Sequence, residues 1–355
     1  MSGSKQHFIP QSLLRGFGFK KGKSTFVVAY TLDRGIFTPA TDGIAAERHF
    51  YSELRVEGGD ETLDDQITYY ETPLATMLAK LRALGDGEQA DPREAAEFVT
   101  HLAIRNDNFR KAVTSAGTAM VEGVANQFAD TASARKLLGL DGDAIKGPFA
   151  EQLAEAFEQY RPLIAMMGMD EAMFRQWAFS TVQANFDTYH AETRGAMDEA
   201  LATILESMPG VTASAQRKSL GETLAPAERV EHMTAFNWRI VHVPGLILPD
   251  CAAIAYESAG IASPLMLASL DTLVSIFVPL SSERMLVGSR TGAVPVPADL
   301  NEAFAGCSWD FFVAREPTPE LEALRDTLRS RVVSHLDDLV DSAISEAVAE
   351  RGARS

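Results

Sequence analysis

Cysteine and long apolar runs are both scarce in this chain of 355 residues. The only two cysteines, Cys251 and Cys307, are too few for a disulfide framework or a cysteine-based zinc site. The best apolar run, from Leu273 to Leu280, is far too short to span a bilayer. No charged leader with an apolar run and a cleavage site opens the sequence. We therefore expect a cytoplasmic protein that does not contact membranes.

Basic residues are also scarce relative to acidic ones. The chain has 32 Lys and Arg against 49 Asp and Glu, which gives a net charge of −17. Residues 1–60 hold eight Lys and Arg against six Asp and Glu, so the acidic excess lies in the rest of the chain. Such a protein is repelled overall by nucleic acid and by anionic membranes. Basic residues near the start could still contact one phosphate group, or they could form a solvated surface cluster.

The hydrophobic pattern changes its period twice along the chain. Residues 20–58 and 237–315 contain β-branched and aromatic segments that predict strands, whereas residues 60–207 repeat apolar positions at helical spacing. An apolar stripe after Thr318 predicts a single C-terminal helix. Because strands and helices do not alternate, the predicted class is α+β and predominantly α-helical. In it, both strand groups could form one mixed sheet.

Local signals place several boundaries within the predicted helical block. The stretch from Asp91 to Glu94 predicts a helix start, and that helix is expected to run past Arg105. The Pro209-Gly210 pair is expected to end a long helix. Residues 212–227 are polar and are predicted to form a linker or loop.

The segment from His7 to Phe17 is unusual for a chain end. It places a histidine, a proline and an arginine among large apolar residues, which favours a docked segment over a frayed one. Together with later stretches, it resembles the bacterial family called domain of unknown function 4238. Those stretches are Ala46–Tyr51, the acidic helix that holds Glu71, Ile104–Arg110, Asn237-Trp238 and Phe277–Ser281.

The resemblance spans nearly the whole chain and implies a single family domain over residues 1–355, but it implies no activity. The chain departs from the family pattern at Pro249-Asp250-Cys251-Ala252, where Ser-Asp-x-Pro is expected and only the aspartate carries over. Within this domain the predicted parts are an N-terminal segment with a small sheet (1–58), a helical block (59–232), a strand-rich part (233–316) and a C-terminal helix (317–355).

No recognised catalytic signature is present, so the sequence predicts no particular cofactor and leaves the question of enzymatic activity open. What it offers instead are polar residues in unusual places. The candidate catalytic residues are His7, Glu47, Glu71 and Asp250, and the candidate substrate-binding residues are Arg15, His101, Arg105 and Asn108.

Several of these candidates have a structural alternative. His7 could be a general base near neutral pH, or it could pin the N-terminus by donating to a backbone carbonyl. Arg15 could bind an anion, or it could pair with a carboxylate such as Glu71. Glu47 with His49 could form half of a metal site or an acid–base pair, although no further ligands suggest themselves.

The remaining candidates lie further along the chain. Glu97, His101 and Arg105 are spaced four apart on one predicted helix face, and Asn108 lies close to the same stripe. Asp250 emerges from an apolar strand, where an aspartate can orient a base, bind a cation or only cap a turn.

Two main hypotheses follow from these residues. The first is a hydrolase that acts on an anionic, phosphate-bearing substrate, such as a nucleotide or a nucleic acid, by acid–base chemistry. The second is a non-catalytic binding or regulatory protein, in which the same residues form a buried network and a surface groove binds a protein partner. Weaker alternatives are an antagonist of a basic partner and a HEPN-type ribonuclease, whose Arg–His spacing recurs at Arg329 and His335. The oligomeric state is not predicted.

Overall fold

The computed structural model describes residues 5–48, 63–142, 145, 148–292 and 294–353. It is 57% helical with 17% strand, which confirms the predicted, predominantly helical α+β class. The contacts divide the chain into two compact units. The first joins Met1–Val113 to Val211–Leu336, and the second joins Thr114–Gly210 to Asp337–Ser355.

The strands are short, and most of them lie near the two ends of the sequence. They are β1 (Lys5–His7), β2 (Phe19–Lys21), β3 (Ser24–Phe26), β4 (Val28–Thr31), β5 (Gly35–Phe37), β6 (Ala46–Arg48), β7 (Asn237–His242), β8 (Leu248–Pro249), β9 (Ile254–Glu257), β10 (Ala262–Pro264), β11 (Leu273–Ser281), β12 (Arg284–Ser289) and β13 (Phe311–Ala314).

The helices range from one turn to more than fourteen turns. They are α1 (Gln11–Leu14), α2 (Leu63–Ala83), α3 (Pro92–Ile104), α4 (Asp107–Ala129), α5 (Thr131–Leu138), α6 (Pro148–Met166), α7 (Glu171–Glu222), α8 (Ala227–Thr234), α9 (Leu300–Cys307), α10 (Pro319–Leu324) and α11 (Ser330–Ala353). Within the described ranges, no helix is both long and apolar enough to cross a bilayer.

The two predicted strand groups meet in the first unit. One sheet has the strand order β5-β4-β13-β8, so strands from both ends of the sequence are neighbours, with Ala29 opposite Val313. A second sheet, with the order β10-β9-β11-β12-β7, contains only later strands. All strand pairs in the described part are antiparallel, so these sheets are not mixed. Residues 50–56, which belong to the first predicted strand group, lie outside the described residues.

Each unit has its own apolar core. In the first unit, Phe98, Trp238, Phe277 and Phe312 are almost completely removed from water. In the second unit, Leu153 of α6 packs with Phe179 and Phe186 of α7. Burial of apolar surface is the main force that stabilises both cores. Cys251 and Cys307 are free thiols buried in the first unit.

The predicted continuous helix beyond Arg105 was wrong. The structure ends α3 at Ile104 and begins α4 at Asp107, with Arg105 and Asn106 between them. The side chain of Asn106 explains the break, because its Oδ1 accepts from the backbone N–H of Asn108 at 2.7 Å. Asparagine competes in this way with helical hydrogen bonds and starts a new helix instead.

The predicted end of the long helix at Pro209-Gly210 was also wrong, as was most of the predicted loop at 212–227. Helix α7 contains Pro209 and continues to Glu222. Burial accounts for the extension, since Gln216 is 8% exposed and Leu220 is 2% exposed. Leu220 packs against Ile67 and Ile104, and this packing outweighs the weak local helix propensity.

The single C-terminal helix predicted after Thr318 is interrupted in the structure. Helix α10 is followed by a short 3₁₀ turn at Arg325–Thr327, and α11 begins only at Ser330. Arg329 takes a left-handed backbone conformation with φ of 67°. Its backbone N–H donates to the carbonyl of Ser308 at 2.8 Å, which holds the chain in this turn.

Candidate functional site

The N-terminal segment is docked into the first unit, as its apolar content predicts. Ile9, Leu13 and Phe17 are fully buried. The segment is held in place by Arg82 of α2, whose guanidinium donates to the carbonyls of Ser12 at 3.0 Å, Leu13 at 3.1 Å and Leu280 at 2.9 Å. Burial lowers the pKa of Arg82 to about 10. The guanidinium therefore stays charged at neutral pH.

A short chain of side-chain contacts runs from His7 through Gln11 to Arg15. Arg15 Nη2 donates to Gln11 Oε1 at 3.0 Å, and Gln11 Nε2 lies 3.0 Å from His7 Nε2. Since arginine can only donate, the oxygen of Gln11 faces Arg15 and its amide N–H faces the histidine. The ring proton of neutral His7 is therefore on Nδ1. Burial and the nearby charge of Arg105 lower the pKa of His7.

Arg105 joins the end of α3 to the N-terminal segment. Its Nη2 donates to the carbonyl oxygen of His7, and its Nη1 lies 2.7 Å from Glu71 Oε1. The Arg105 side chain is 2% exposed, whereas that of Glu71 is 38% exposed. Glu71 therefore pairs with Arg105, and Arg15 bonds to Gln11 instead.

His101 lies one turn before Arg105 and is completely buried. Its Nδ1 is 3.0 Å from the carbonyl oxygen of Leu224, so Nδ1 carries the proton and donates it. The ring packs on Tyr70 with the ring centroids 4.5 Å apart. Burial and the charge of Arg105 lower the pKa of His101 to about 3. The side chain is therefore neutral at physiological pH and is not exposed to a substrate.

Asp250 forms a second polar cluster with Asn108 and the chain before β13. Its carboxylate accepts hydrogen bonds from the backbone N–H groups of Trp309 at 2.9 Å, Asp310 at 2.6 Å and Phe311 at 3.2 Å. Asn108 Nδ2 adds a fourth at 2.8 Å. Burial raises the pKa of Asp250 to about 6, and the hydrogen bonds oppose this rise.

The two asparagines extend this cluster to the break between α3 and α4. Asn106 Nδ2 donates to the backbone carbonyl of Asp250 at 2.6 Å. Asn108 Nδ2 also donates to the carbonyl of Cys307 at 3.0 Å. Gln216 Nε2 donates to the carbonyl of Asn106 at 3.0 Å. The helix break is thus hydrogen-bonded to three distant parts of the first unit.

Ion pairs continue from the break towards the surface of the first unit. Arg110 bonds to Glu47 at 2.7 Å and also to Asp107. Lys111 bonds to Asp107 at 2.7 Å and also to Asp310. These pairs raise the pKa values of Arg110 and Lys111 against the lowering effect of burial.

A shallow cleft opens beside these ion pairs, with about 200 Å³ of space that includes open solvent. Among the predicted site residues, Glu47 and Arg105 line it, whereas the structure places the others elsewhere in the networks described above. The charges of its lining side chains cancel, since two arginines meet two carboxylates. The lining residues are Gln6, Phe8, Glu47, Arg105, Asp107, Arg110 and Gln216.

The structure therefore divides the predicted site residues into two clusters of the first unit. His7, Arg15, Glu71, His101 and Arg105 lie along one network of contacts. Asp250 and Asn108 form the other, and Glu47 joins neither directly but binds Arg110.

The metal and ribonuclease alternatives gain no geometric support. In the described part of the chain, no three His, Cys, Asp or Glu side chains are grouped closely enough to hold a metal ion. His49 lies outside the described residues. Arg329 bonds to Asp310 and to the carbonyl of Trp309, whereas His335 Nε2 lies 3.3 Å from the carbonyl of Leu267.

Sequence reasoning missed three residues that build these clusters, namely Arg82, Asn106 and Gln216. Each acts through a backbone carbonyl that is remote in sequence, and such partners leave no local pattern. Asn106 does lie in the polar stretch Arg105–Arg110, and that polarity is a signal by which the sequence could have pointed to it.

Comparison with known proteins bears on the whole chain. Neither the curated proteins nor the solved structures contain a match. A family profile described as "Protein of unknown function (DUF4238)" matches residues 5–342. That range includes both polar clusters, the docked N-terminal segment and the two larger sheets of the first unit. The chain therefore belongs to the family called domain of unknown function 4238.

Proposed function

We propose that this chain is a non-catalytic binding or regulatory protein, in which the polar residues singled out in the sequence form a structural network. The observation that carries the proposal is the environment of Asp250. Asp250 is 3% exposed and its carboxylate accepts from four donors, so it has no open position for a substrate or a water molecule. A carboxylate bound in this way orders the chain rather than transferring protons.

The other polar residues support the same proposal. His101 uses its ring proton on the Leu224 carbonyl and is closed off from solvent. Arg105 directs its guanidinium to the His7 carbonyl and to Glu71. Each group thus has protein partners, and each joins segments that are remote in sequence.

The substitution Asp250→Asn tests the structural role. An asparagine oxygen accepts at most two of the four hydrogen bonds, and its NH₂ group meets backbone donors. We expect a loss of about 2–4 kcal/mol in the free energy of unfolding. Urea unfolding measures it, with the exposed Asp326→Asn as the matched control. A variant as stable as wild type would contradict the structural role.

The hydrolase hypothesis remains a second candidate, because one observation favours it. Arg105, Arg110 and Glu47 line the same cleft, and two arginines beside a carboxylate suit a phosphate-bearing substrate. Glu71 already pairs with Arg105, and Glu47 and Asp107 pair with Arg110, which weakens the attraction of both arginines for an anion. Bound phosphate would have to displace these ion pairs.

The Arg110→Gln variant separates the two candidates. Arg110 is 14% exposed and borders the cleft, so its replacement removes a side chain that could bind phosphate and leaves no cavity in the apolar core. For a hydrolase, phosphate compounds would bind wild type and the exposed control Arg93→Gln but not Arg110→Gln. For a binding protein, calorimetry detects no phosphate binding to any of the three.

A further inference from the structure

We infer that the tip of the α6–α7 hairpin docks a cationic amphipathic helix of a partner protein, an inference that rests on the proposed binding function. The tip carries six large apolar side chains that are between 51% and 85% exposed. We call these residues the methionine tip. They are Tyr160, Leu163, Met166, Met167, Met173 and Trp177.

The clustering of these side chains is what distinguishes them from ordinary surface residues. Among the described residues, nineteen large apolar side chains are exposed, and six of them fall within residues 160–177. Single exposed apolar residues are normal, whereas a cluster marks an interaction surface. Met166 is the most exposed of them all at 85%.

The side chains beneath the tip give it a fixed base. Phe157 of α6 packs on Phe174 of α7 with centroids 5.9 Å apart, and Phe174 packs on Trp177 at 6.3 Å. Methionine side chains above such a base can adapt to the apolar face of a partner, since they are unbranched and polarizable. Helix recognition by an apolar groove uses surfaces of this composition.

The charge around the tip selects the partner. Residues 148–180 contain five Asp and Glu against two Arg. Both arginines are already paired within their own helices, Arg161 with Glu158 and Arg175 with Glu171. Glu151 and Glu155 have no cationic partner in the described part of the chain. They share the outward face of α6 with Met166, because steps of four and eleven residues return to the same face.

The same charge argues against two other occupants. A second copy of this chain would bring two acidic hairpins together, in a protein whose net charge is −17. An anionic membrane surface would be repelled for the same reason. A helix with lysines along one face and leucines along the other complements both the apolar side chains and the glutamates.

The test uses the full chain and a fluorescent synthetic helix made of leucine and lysine. We expect saturable binding by fluorescence anisotropy, weakened about tenfold or more in the double variant Met166→Gln/Trp177→Gln. The matched control is Met120→Gln/Ile204→Gln, which changes two other exposed apolar residues of the same unit and leaves the affinity unchanged. The double variant Glu151→Gln/Glu155→Gln weakens binding and lowers its salt dependence.

Three outcomes overturn the inference. The first is no binding, or equal binding by the methionine-tip variant. The second is equal binding of a leucine–glutamate helix, which would remove the role of charge. The third is a wild-type dimer in sedimentation that Trp177→Gln converts to a monomer, which would assign the tip to a second copy. None of these outcomes depends on the unfolding of Asp250→Asn. The docking proposal can therefore be wrong while the proposed structural role of the polar network is still supported.

Discussion

At the scale of single residues, burial shifts the pKa values of His101 and Asp250 in opposite directions. His101 is buried as a neutral ring that donates to Leu224, and its pKa falls to about 3. Asp250 is buried among four donors, and burial raises its pKa to about 6. Both groups are stabilised by fixed partners within the protein rather than by solvent.

His101 makes stability depend on acid pH. In the unfolded chain this ring binds a proton below its ordinary pKa of 6.5. In the folded chain it binds a proton only when the pH falls to about 3. The stabilisation from the neutral buried ring is therefore complete above pH 6.5 and is lost as the pH falls towards 3. The loss amounts to about 5 kcal/mol.

The variant His101→Gln keeps an N–H donor for Leu224 but cannot be protonated. We expect it to be less stable than wild type at pH 7 and to show a flatter loss of stability between pH 6.5 and pH 4. Urea unfolding across this range measures both, with the exposed His242→Gln as the matched control. An unchanged slope in His101→Gln would contradict the account.

At the scale of secondary-structure elements, the break between α3 and α4 positions most of the polar residues. The sequence predicted the start of α3, where Asp91 Oδ1 accepts from the backbone N–H of Glu94 at 2.8 Å. Local spacing carries that information, because cap and capped residue are three apart. It did not predict the break, because Asn106 depends on Asp250, 144 residues away.

The two caps provide a matched comparison. Asp91→Ala removes an exposed cap and is expected to cost about 1 kcal/mol. Asn106→Ala removes a cap and also leaves the buried Asp250 carbonyl without its donor, so we expect a larger cost of about 2–3 kcal/mol. Urea unfolding of the two variants measures the difference. Equal costs would mean that Asn106 acts only as a local cap.

At the scale of the whole molecule, the sequence predicted the α+β class and the joining of its two strand groups. It did so because β-branched segments and helical periodicity are local properties. The sequence did not predict that the candidate site residues divide between two clusters, because Glu71, Arg105 and Asp250 meet their partners only in the folded chain. Helix α7 was misjudged because burial of Gln216 and Leu220 outweighed the local signal of Pro209.

The acidic balance of the chain predicts that it does not bind nucleic acid. With a net charge of −17, the long-range field repels phosphate backbones, and the cleft beside Arg105 is neutral overall. We expect no shift in anisotropy with labelled single- or double-stranded oligonucleotides at physiological salt. Binding that weakens steeply with added salt would show that a basic surface dominates instead.

The central claim is that these polar residues stabilise the fold and do not bind a substrate. A thermal-shift screen of wild type, Arg105→Ala and Arg110→Gln tests it most directly, with nucleotides, phosphosugars and divalent metals as ligands. We predict that Arg105→Ala has a much lower melting temperature than wild type, because loss of the Arg105 side chain lowers the free energy of unfolding by about 2–4 kcal/mol. We also predict that no ligand raises the melting temperature of any of the three proteins. A phosphate compound that stabilises wild type but not Arg110→Gln would contradict the claim and establish an anion site.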